Sequence, residues 1–221
     1  MVKIDIMEDI ILLGCGEHAQ MVIDNIEQEN KYRIVGLTTN DDNELGKTIY
    51  NYKVVCKDED IPDFLNKNPN VKGYFLGIGN MKVREKISIW LDKAITIKPV
   101  NIIHPRAIIS DHCEIGYGNI FEAYTKIANN AKVGNHCIVN SFTAVNHDQI
   151  IGNNVLLAGG VSLAGKSIGD NTIIADGASV GFKTKIGKNC IIGDGAVVTK
   201  NIEDNSIAYG NPARTVKKVE W

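Results

Sequence analysis

From Ile109 onward an apolar residue recurs at every sixth position: Ile109, Ile115, Phe121, Ile127, Val133, Val139, Val145, Ile151, Leu157 and Leu163. After one residue is dropped the series resumes at Ile168, Ile174, Val180, Ile186, Ile192 and Val198. All sixteen are Ile, Leu, Val or Phe, yet Ile, Leu and Val make up only 60 of the 221 residues, so chance would fill about four. Two residues ahead stand small or short side chains: Ala107, Cys113, Asn119, Thr125, Ala131, Cys137, Thr143, Ala178, Thr184, Cys190 and Ala196. Glycine follows at every third step, at Gly116, Gly134, Gly152, Gly169 and Gly187, with spacings of 18, 18, 17 and 18. A fixed period outranks local propensity as a fold signal. The physical reading is a coil of three short strands, each six residues with its turn. Five such coils fit between about residue 107 and residue 200. Stacking places like positions one strand spacing apart, ~4.8 Å, so the aliphatic and the small residue both form inward columns. Cys113, Cys137 and Cys190 fall on the small column and read as packed thiols, not as chemistry.

The rest of the composition narrows the class. Lys and Arg number 24 against 26 Asp and Glu, a net charge of -2, which argues against a nucleic-acid binder. No apolar run reaches the ~18 residues that a membrane span requires, so no membrane insertion is expected. Met1-Val2-Lys3-Ile4-Asp5 lacks the basic-then-apolar build of a signal peptide. Five cysteines with no CxxC pair read as reduced thiols in a cytoplasmic protein.

The first hundred residues follow another rule. Ile10-Ile11-Leu12-Leu13 reads as a buried strand, Gly14-Cys15-Gly16-Glu17-His18 as a turn, and Met21, Val22, Ile23 and Ile26 as one helix face. Strand, glycine turn, helix is the setting in which backbone N–H groups cradle a phosphate. Ile34 to Leu37 and Val71 to Leu76 read as further strands, the latter ending at Gly77-Ile78-Gly79-Asn80. Met81 to Asp92 reads as a helix with Val83, Ile87, Trp90 and Leu91 on one face. This is a Rossmann-like α/β unit with a parallel sheet. A dinucleotide site wants an acid for the ribose near the end of the second strand. Thr38-Thr39 stand there, with Asp41 and Asp42 late, so an NAD dehydrogenase is disfavoured. The expected domains are 1–100 and 101–221, hinged between Pro99 and Pro105, with a C-terminal loop at 209–214 before a short basic tail.

The histidines do not suggest a metal. His112 and His136 lie 24 residues apart, on different corners, and His112 and His147 lie 35 apart, two coils distant or ~9.6 Å. Zinc bonds of ~2 Å do not bridge that gap, so no protein-bound metal is expected. His147, two residues beyond an inward aliphatic, sits outward on a corner. It is a solvent-exposed corner residue or a general base near neutral pH. Asp148 beside it can orient or activate the ring only if the corner backbone departs from a regular strand, where neighbours point to opposite faces.

Taken together, the glycine turn at 14–18, Gly77-Ile78-Gly79-Asn80 with Arg84, Ile103-His104-Pro105, the six-residue coils, Ile138-Val139-Asn140, Asn146-His147-Asp148 and the ending Gly210-Asn211-Pro212-Ala213-Arg214 resemble the bacterial nucleotide-sugar N-acetyltransferases. These are kin to the bacillosamine- and perosamine-pathway enzymes, with the sialic acid O-acetyltransferases as relatives. The resemblance implies a left-handed β-helix of hexapeptide repeats, handedness included. It further implies a cytoplasmic homotrimer and transfer of acetyl from acetyl-CoA to the amine of a nucleotide-linked 4-amino-4,6-dideoxy sugar. His147 matches the catalytic base and Asp148 the acid that raises its basicity. Gly16, Glu17, His18, Thr38, Thr39, Gly79, Asn80 and Asn140 match the sugar-nucleotide site. Leu156, Asp176, Gly177, Asp194 and Gly195 match the CoA path, the two glycines keeping corners small. Two departures stand out: Leu156 where relatives commonly carry a histidine, and Thr38-Thr39 where relatives often carry paired acids. Sialic acid O-acetylation and a non-catalytic β-helical scaffold are the competing readings.

Overall fold

The structure is a computed structural model that describes residues 7–219, so Met1 to Asp5 lie outside the described residues. The chain divides into two compact units, Met1–His104 and Pro105–Trp221.

The first unit is a six-stranded sheet. Its strands are β1 (Glu8–Leu13), β2 (Tyr32–Thr39), β3 (Thr48–Ile49), β4 (Tyr52–Lys57), β5 (Gly73–Leu76) and β6 (Lys98–Pro99), in the order β3-β4-β2-β1-β5-β6. All pairings are parallel except the β3–β4 hairpin. The first strand is central, and Ile10 to Leu13 are wholly buried. Helix α1 (Glu17–Glu29) begins at Gly16, whose extended backbone leaves the first-turn N–H groups without a side-chain cap. Ala19, Val22, Ile23 and Ile26, at helical spacing, form its buried face. It stops at Asn30, whose left-handed φ of 55° lets its N–H reach the carbonyl of Ile26. Helices α2 (Ile61–Lys67) and α3 (Met81–Ala94) complete the unit. Ile11, Leu13, Ile61, Val71, Tyr74, Leu76 and Leu91 form a shared cluster. Each such side chain contributes roughly 1.5–3 kcal/mol on full burial.

The inner face of α3 differs from the sequence expectation. Leu91 is buried as expected, but its companions are Met81, Arg84 and Ser88, while Val83 and Trp90 are exposed. Arg84 is wholly buried because its guanidinium donates to the carbonyls of Leu76 (2.5 Å) and Ile78 (3.1 Å), at and just beyond the end of β5. Hydrophobic periodicity scores an arginine as polar and turns the helix the wrong way. The strands β3, β4 and β6 and the helix α2 are not foreshadowed in the sequence pattern: the two-residue strands β3 and β6 and the seven-residue helix carry little period of their own, and the six residues of β4 do not alternate.

The second unit follows the six-residue ruler. Strand pairs of two residues stack in parallel along three sheets: Ile120–Phe121, Ile138–Val139, Leu156–Leu157, Ile173–Ile174 and Ile191–Ile192 in one; Ile108–Ile109 through Val197–Val198 in the second; Glu114–Ile115 through Lys185–Ile186 in the third. This is the left-handed β-helix. Register is 18 residues (Ile127 with Val145) until the dropped residue, where Ile150 pairs Ser167, Leu156 pairs Ile173 and Ser162 pairs Ser179, each 17 apart. Of the sixteen ruler positions, only Ile109 and Ile115, on the first coil, are not fully buried. Beyond Ala107 and Cys113 on the first coil the small column is buried too, and its polar members bind backbone. Asn119 Oδ1 accepts from the Cys137 N–H (2.7 Å), and the Thr143 hydroxyl donates to the Ala158 carbonyl (2.7 Å). The ruler's glycines are steric: a Cβ at Gly134 would lie 2.6 Å from the carbonyl oxygen of Gly152 in the next coil. All five cysteines are free thiols.

The corners have a second regularity. A residue with left-handed φ recurs every six positions at 118, 124, 130, 136, 142, 148, 154 and 160, and again at 171, 177, 183, 189 and 195. The residue lost from the ruler is lost at the corner between 160 and 171, and no left-handed residue occurs there. Beyond the coils, Gly210 to Ala213 form the expected loop, but the basic segment after it is no tail. Arg214–Lys218 pairs antiparallel with Ser206–Tyr209, which itself extends the sheet of Ile191–Ile192.

Candidate functional site

In the first unit, the carboxyl ends of β1, β2, β4 and β5 open onto a cleft of about 560 Å³. A ligand crevice is expected there, outside the carboxyl ends of the parallel strands, where the strand order reverses between β1 and β5. Gly14, Gly16, Glu17, His18, Thr39, Gly79 and Asn80 line it. Gly14 needs its glycine: its φ is +102°, and a Cβ would sit 3.0 Å from the carbonyl oxygen of Gly77. The uncapped start of α1 presents backbone donors and the positive end of the helix dipole. Asn80 is already engaged, since its Oδ1 caps α3 by accepting from the N–H of Val83 at 3.1 Å. Val83 and Ile87, which the sequence puts on one helix face, form an apolar wall of the cleft, and Ile87 also packs against the core cluster.

Thr38 is wholly buried and does not line the cleft. Its hydroxyl oxygen accepts from the Gly14 N–H at 3.3 Å, and the hydroxyl donates to Asp58. Thr39 accepts from the N–H of Asp41 at 3.0 Å. His18 is half-buried, and its Nε2 has no hydrogen-bond partner. Burial and the positive charge of Arg84 push its pKa down to about 4, so the ring is neutral at pH 7.

In the second unit, His147 and Asp148 do touch. His147 Nδ1 lies 2.6 Å from Asp148 Oδ2, both side chains exposed on a corner. Asp148 is the left-handed residue of that corner, with φ of 59°, and this breaks the alternation that would point neighbours apart. Asn130, one coil earlier, donates from Nδ2 to Asp148 Oδ1 at 3.0 Å. The bonds from His147 and Asn130 hold the Asp148 carboxyl below the usual range. Asn140 is half-buried, and its side-chain oxygen is buried without a partner. Leu156 faces outward between Ile138 and Ile173 on one sheet. Asp176 accepts the Gly159 N–H at 2.9 Å, while Asp194 is exposed. Gly177 and Gly195 are corners with φ of 67° and 61°, and a Cβ on either would meet nothing within 4 Å. Their left-handed backbone calls for glycine within the chain itself.

Residues 9–91 match the PglD N-terminal domain, and residues 165–200 match the bacterial transferase hexapeptide, six repeats. Among solved structures, a histidine-to-asparagine variant of perosamine N-acetyltransferase from Caulobacter crescentus, in complex with CoA and GDP-perosamine, is 26% identical. The match covers 95% of this chain and 97% of that one, with a TM-score of 0.87. The acetyltransferase domain of PglB from Neisseria gonorrhoeae FA1090, in complex with acetyl coenzyme A, is 25% identical over 95% and 100% of the two chains, at a TM-score of 0.84. WeeI from Acinetobacter baumannii AYE is 28% identical over 94% and 99%, at 0.72. A search of curated protein sequences found no match. The chain thus pairs a PglD N-terminal domain with transferase hexapeptide repeats, and it is an acetyl-CoA-dependent acetyltransferase.

Two residues of this acetyltransferase's candidate site escaped the sequence reading. Asn130 was legible in principle, since it stands 18 residues before Asp148 and so directly beneath it in the stack. Asp58 was not, because its place in the cleft depends on β4, a strand with no alternation to announce it. Among the described residues, no group of His, Cys, Asp and Glu is placed to hold a metal ion, and no helix is long and apolar enough to cross a membrane.

Proposed function

We propose that this chain transfers the acetyl group of acetyl-CoA to the amine of a nucleotide-linked 4-amino-4,6-dideoxy sugar. The observation that carries the reading is the His147–Asp148 contact at 2.6 Å on a corner of the β-helix, with Asn130 behind it. An amine attacks a thioester without an enzyme nucleophile, provided it is neutral. His147 takes the proton from the attacking nitrogen, the C–S bond breaks, and the CoA sulfur leaves and recovers a proton. Asp148 orients the ring and offsets its charge while it holds that proton. The cleft at Gly14 to His18 is assigned the diphosphate, which the start of α1 suits. Asn140, with its buried oxygen unpartnered, is assigned to the sugar. The CoA arm is assigned to the coils near Leu156, Asp176, Gly177, Asp194 and Gly195. With five free thiols, a reducing cytoplasm is the compartment that fits. The CoA and GDP-perosamine held by the Caulobacter crescentus enzyme, and the acetyl coenzyme A held by the PglB domain, support both substrates.

The test is a thiol-release assay with acetyl-CoA and UDP-, dTDP- and GDP-linked 4-amino sugars, beside free sialic acid. Turnover of at least one amino sugar is expected. Turnover of sialic acid with silence on every amino sugar would replace this reading with the O-acetyltransferase.

A further inference from the structure

A nucleotide-binding unit of this topology uses an acid at the end of β2 to hold the ribose hydroxyls. Here β2 ends in Thr38 and Thr39, both buried. The cleft nevertheless carries four carboxylates, those of Glu17, Asp41, Glu44 and Asp58. Asp41 is engaged at the start of a single 3-10 turn, where its Oδ1 accepts from both the N–H and the Nδ2 of Asn43. Glu44 is paired with Lys47 at 3.0 Å. Glu17 opens α1 and is exposed to solvent. Asp58 differs from all three. It follows β4, the neighbour of β2 in the sheet, and is half-buried. Its Oδ1 is fixed by the hydroxyl of Thr38, which in turn holds the N–H of Gly14 in the glycine turn. One strand over from its usual origin, a carboxylate thus stands against the end of β2, tied by one intervening residue to the turn assigned to the diphosphate.

We propose that Asp58 is the residue that reads the ribose, accepting from its 2′-hydroxyl, so that the nucleotide of the acceptor substrate is a ribonucleoside diphosphate and not its 2′-deoxy counterpart. Thr38 serves as the strut: it spends its hydroxyl on Oδ1 and leaves Oδ2 for the ligand. The carboxylate absent from the β2 motif has moved to β4, and the specificity has moved with it. The inference rests on the nucleotide-sugar reading and narrows it to uridine- or guanosine-linked substrates.

The experiment is calorimetric titration of the full chain with UDP against 2′-deoxy-UDP and GDP against 2′-deoxy-GDP, in the wild type and in Asp58→Asn. The substitution keeps a carbonyl acceptor for Thr38. For whichever base binds, the ribo form is expected to bind at least tenfold tighter than the deoxy form in the wild type, the scale of one charge-assisted hydrogen bond. In Asp58→Asn the ribo form is expected to fall to the level of the deoxy form, whose own affinity barely moves. Equal affinity for ribo and deoxy forms in the wild type overturns this inference and leaves the nucleotide site standing. That comparison needs no variant. A ribo preference that persists in Asp58→Asn also overturns it. Binding of none of the four nucleotides overturns the inference and the nucleotide-sugar reading together.

Discussion

Asp148 reaches His147 because its backbone is left-handed, and it is held from the other side by Asn130. A histidine general base so placed contributes on the order of 10²-fold or more. His147→Ala is expected to lower kcat by that factor in the thiol-release assay while acetyl-CoA binding, read by calorimetry, survives. Asp148→Asn is expected to cost less, and Asn130→Ala less again, since each acts one link further from the transferred proton. Turnover of His147→Ala near that of the wild type would return the residue to the ordinary corner histidine that spacing alone also allowed. His18 gives a different test. Its pKa of about 4 lies below the ordinary 6.5, so the unfolded chain takes up the proton first as the pH falls. Its contribution to stability is therefore complete above about pH 6.5 and is lost as the pH falls toward 4. The imidazole resonance of His18 is expected to titrate near 4 by NMR. In His18→Gln, the loss of unfolding free energy between pH 6.5 and 4 is expected to be shallower than in the wild type.

The coil is an element whose packing the glycine column tests directly. At Gly152 a Cβ would run into the Asp170 carboxylate and come within 2.7 Å of the Asp170 backbone nitrogen in the next coil. Overpacking of this kind typically costs about 1–3 kcal/mol, so Gly152→Ala is expected to lower the denaturation midpoint with little change in slope. An unchanged midpoint would mean that adjacent coils separate freely. The coils were legible from residues because the inward apolar residue recurs at all sixteen ruler positions, with a short residue two before it at most of them. A slip of register has no room to arise when Val139, Leu157 and Ile174 must all occupy one column. The first unit was legible only where one strand or helix carries its own period, as β1 and α1 do. The inner face of α3 was not, because Arg84 is made safe for burial by carbonyls at and beyond the end of β5, and no spacing rule anticipates that. The contact of His147 with Asp148 needed the corner conformation, which the ruler placed but did not describe.

On the scale of the whole molecule, the outer face of the β-helix is not uniform. One sheet presents Ile108, Lys126, Ala144, Ser162, Ser179 and Val197 outward, and another presents Glu114, Lys132, Ile150, Ser167 and Lys185, so that each mixes polar residues with apolar ones, the exposed Ile108 and Ile150 among them. The third is apolar in every coil, at Ile120, Ile138, Leu156, Ile173 and Ile191, of which Ile120 and Ile138 are already covered within the chain. Leu156, Ile173 and Ile191 remain half-exposed, and the corner rings Phe142 and Phe182 are 68% and 76% exposed. Leu156 thus continues an apolar column. A stripe of this kind marks a surface made to be covered. Three copies of a three-sided coil, packed about a threefold axis, close the assembly with each stripe against a neighbour and leave no open end for further growth. The protein is therefore expected to be a homotrimer, and sedimentation equilibrium at micromolar concentration is expected to give three times the 24.2 kDa of the chain. The pair Ile173→Glu and Ile191→Glu sets two like charges on the half-exposed stripe of each subunit, and is expected to shift that mass toward a single chain while the circular dichroism of the β-helix is retained. A wild-type mass of one chain at that concentration would rule the trimer out and leave the apolar stripe to some other partner.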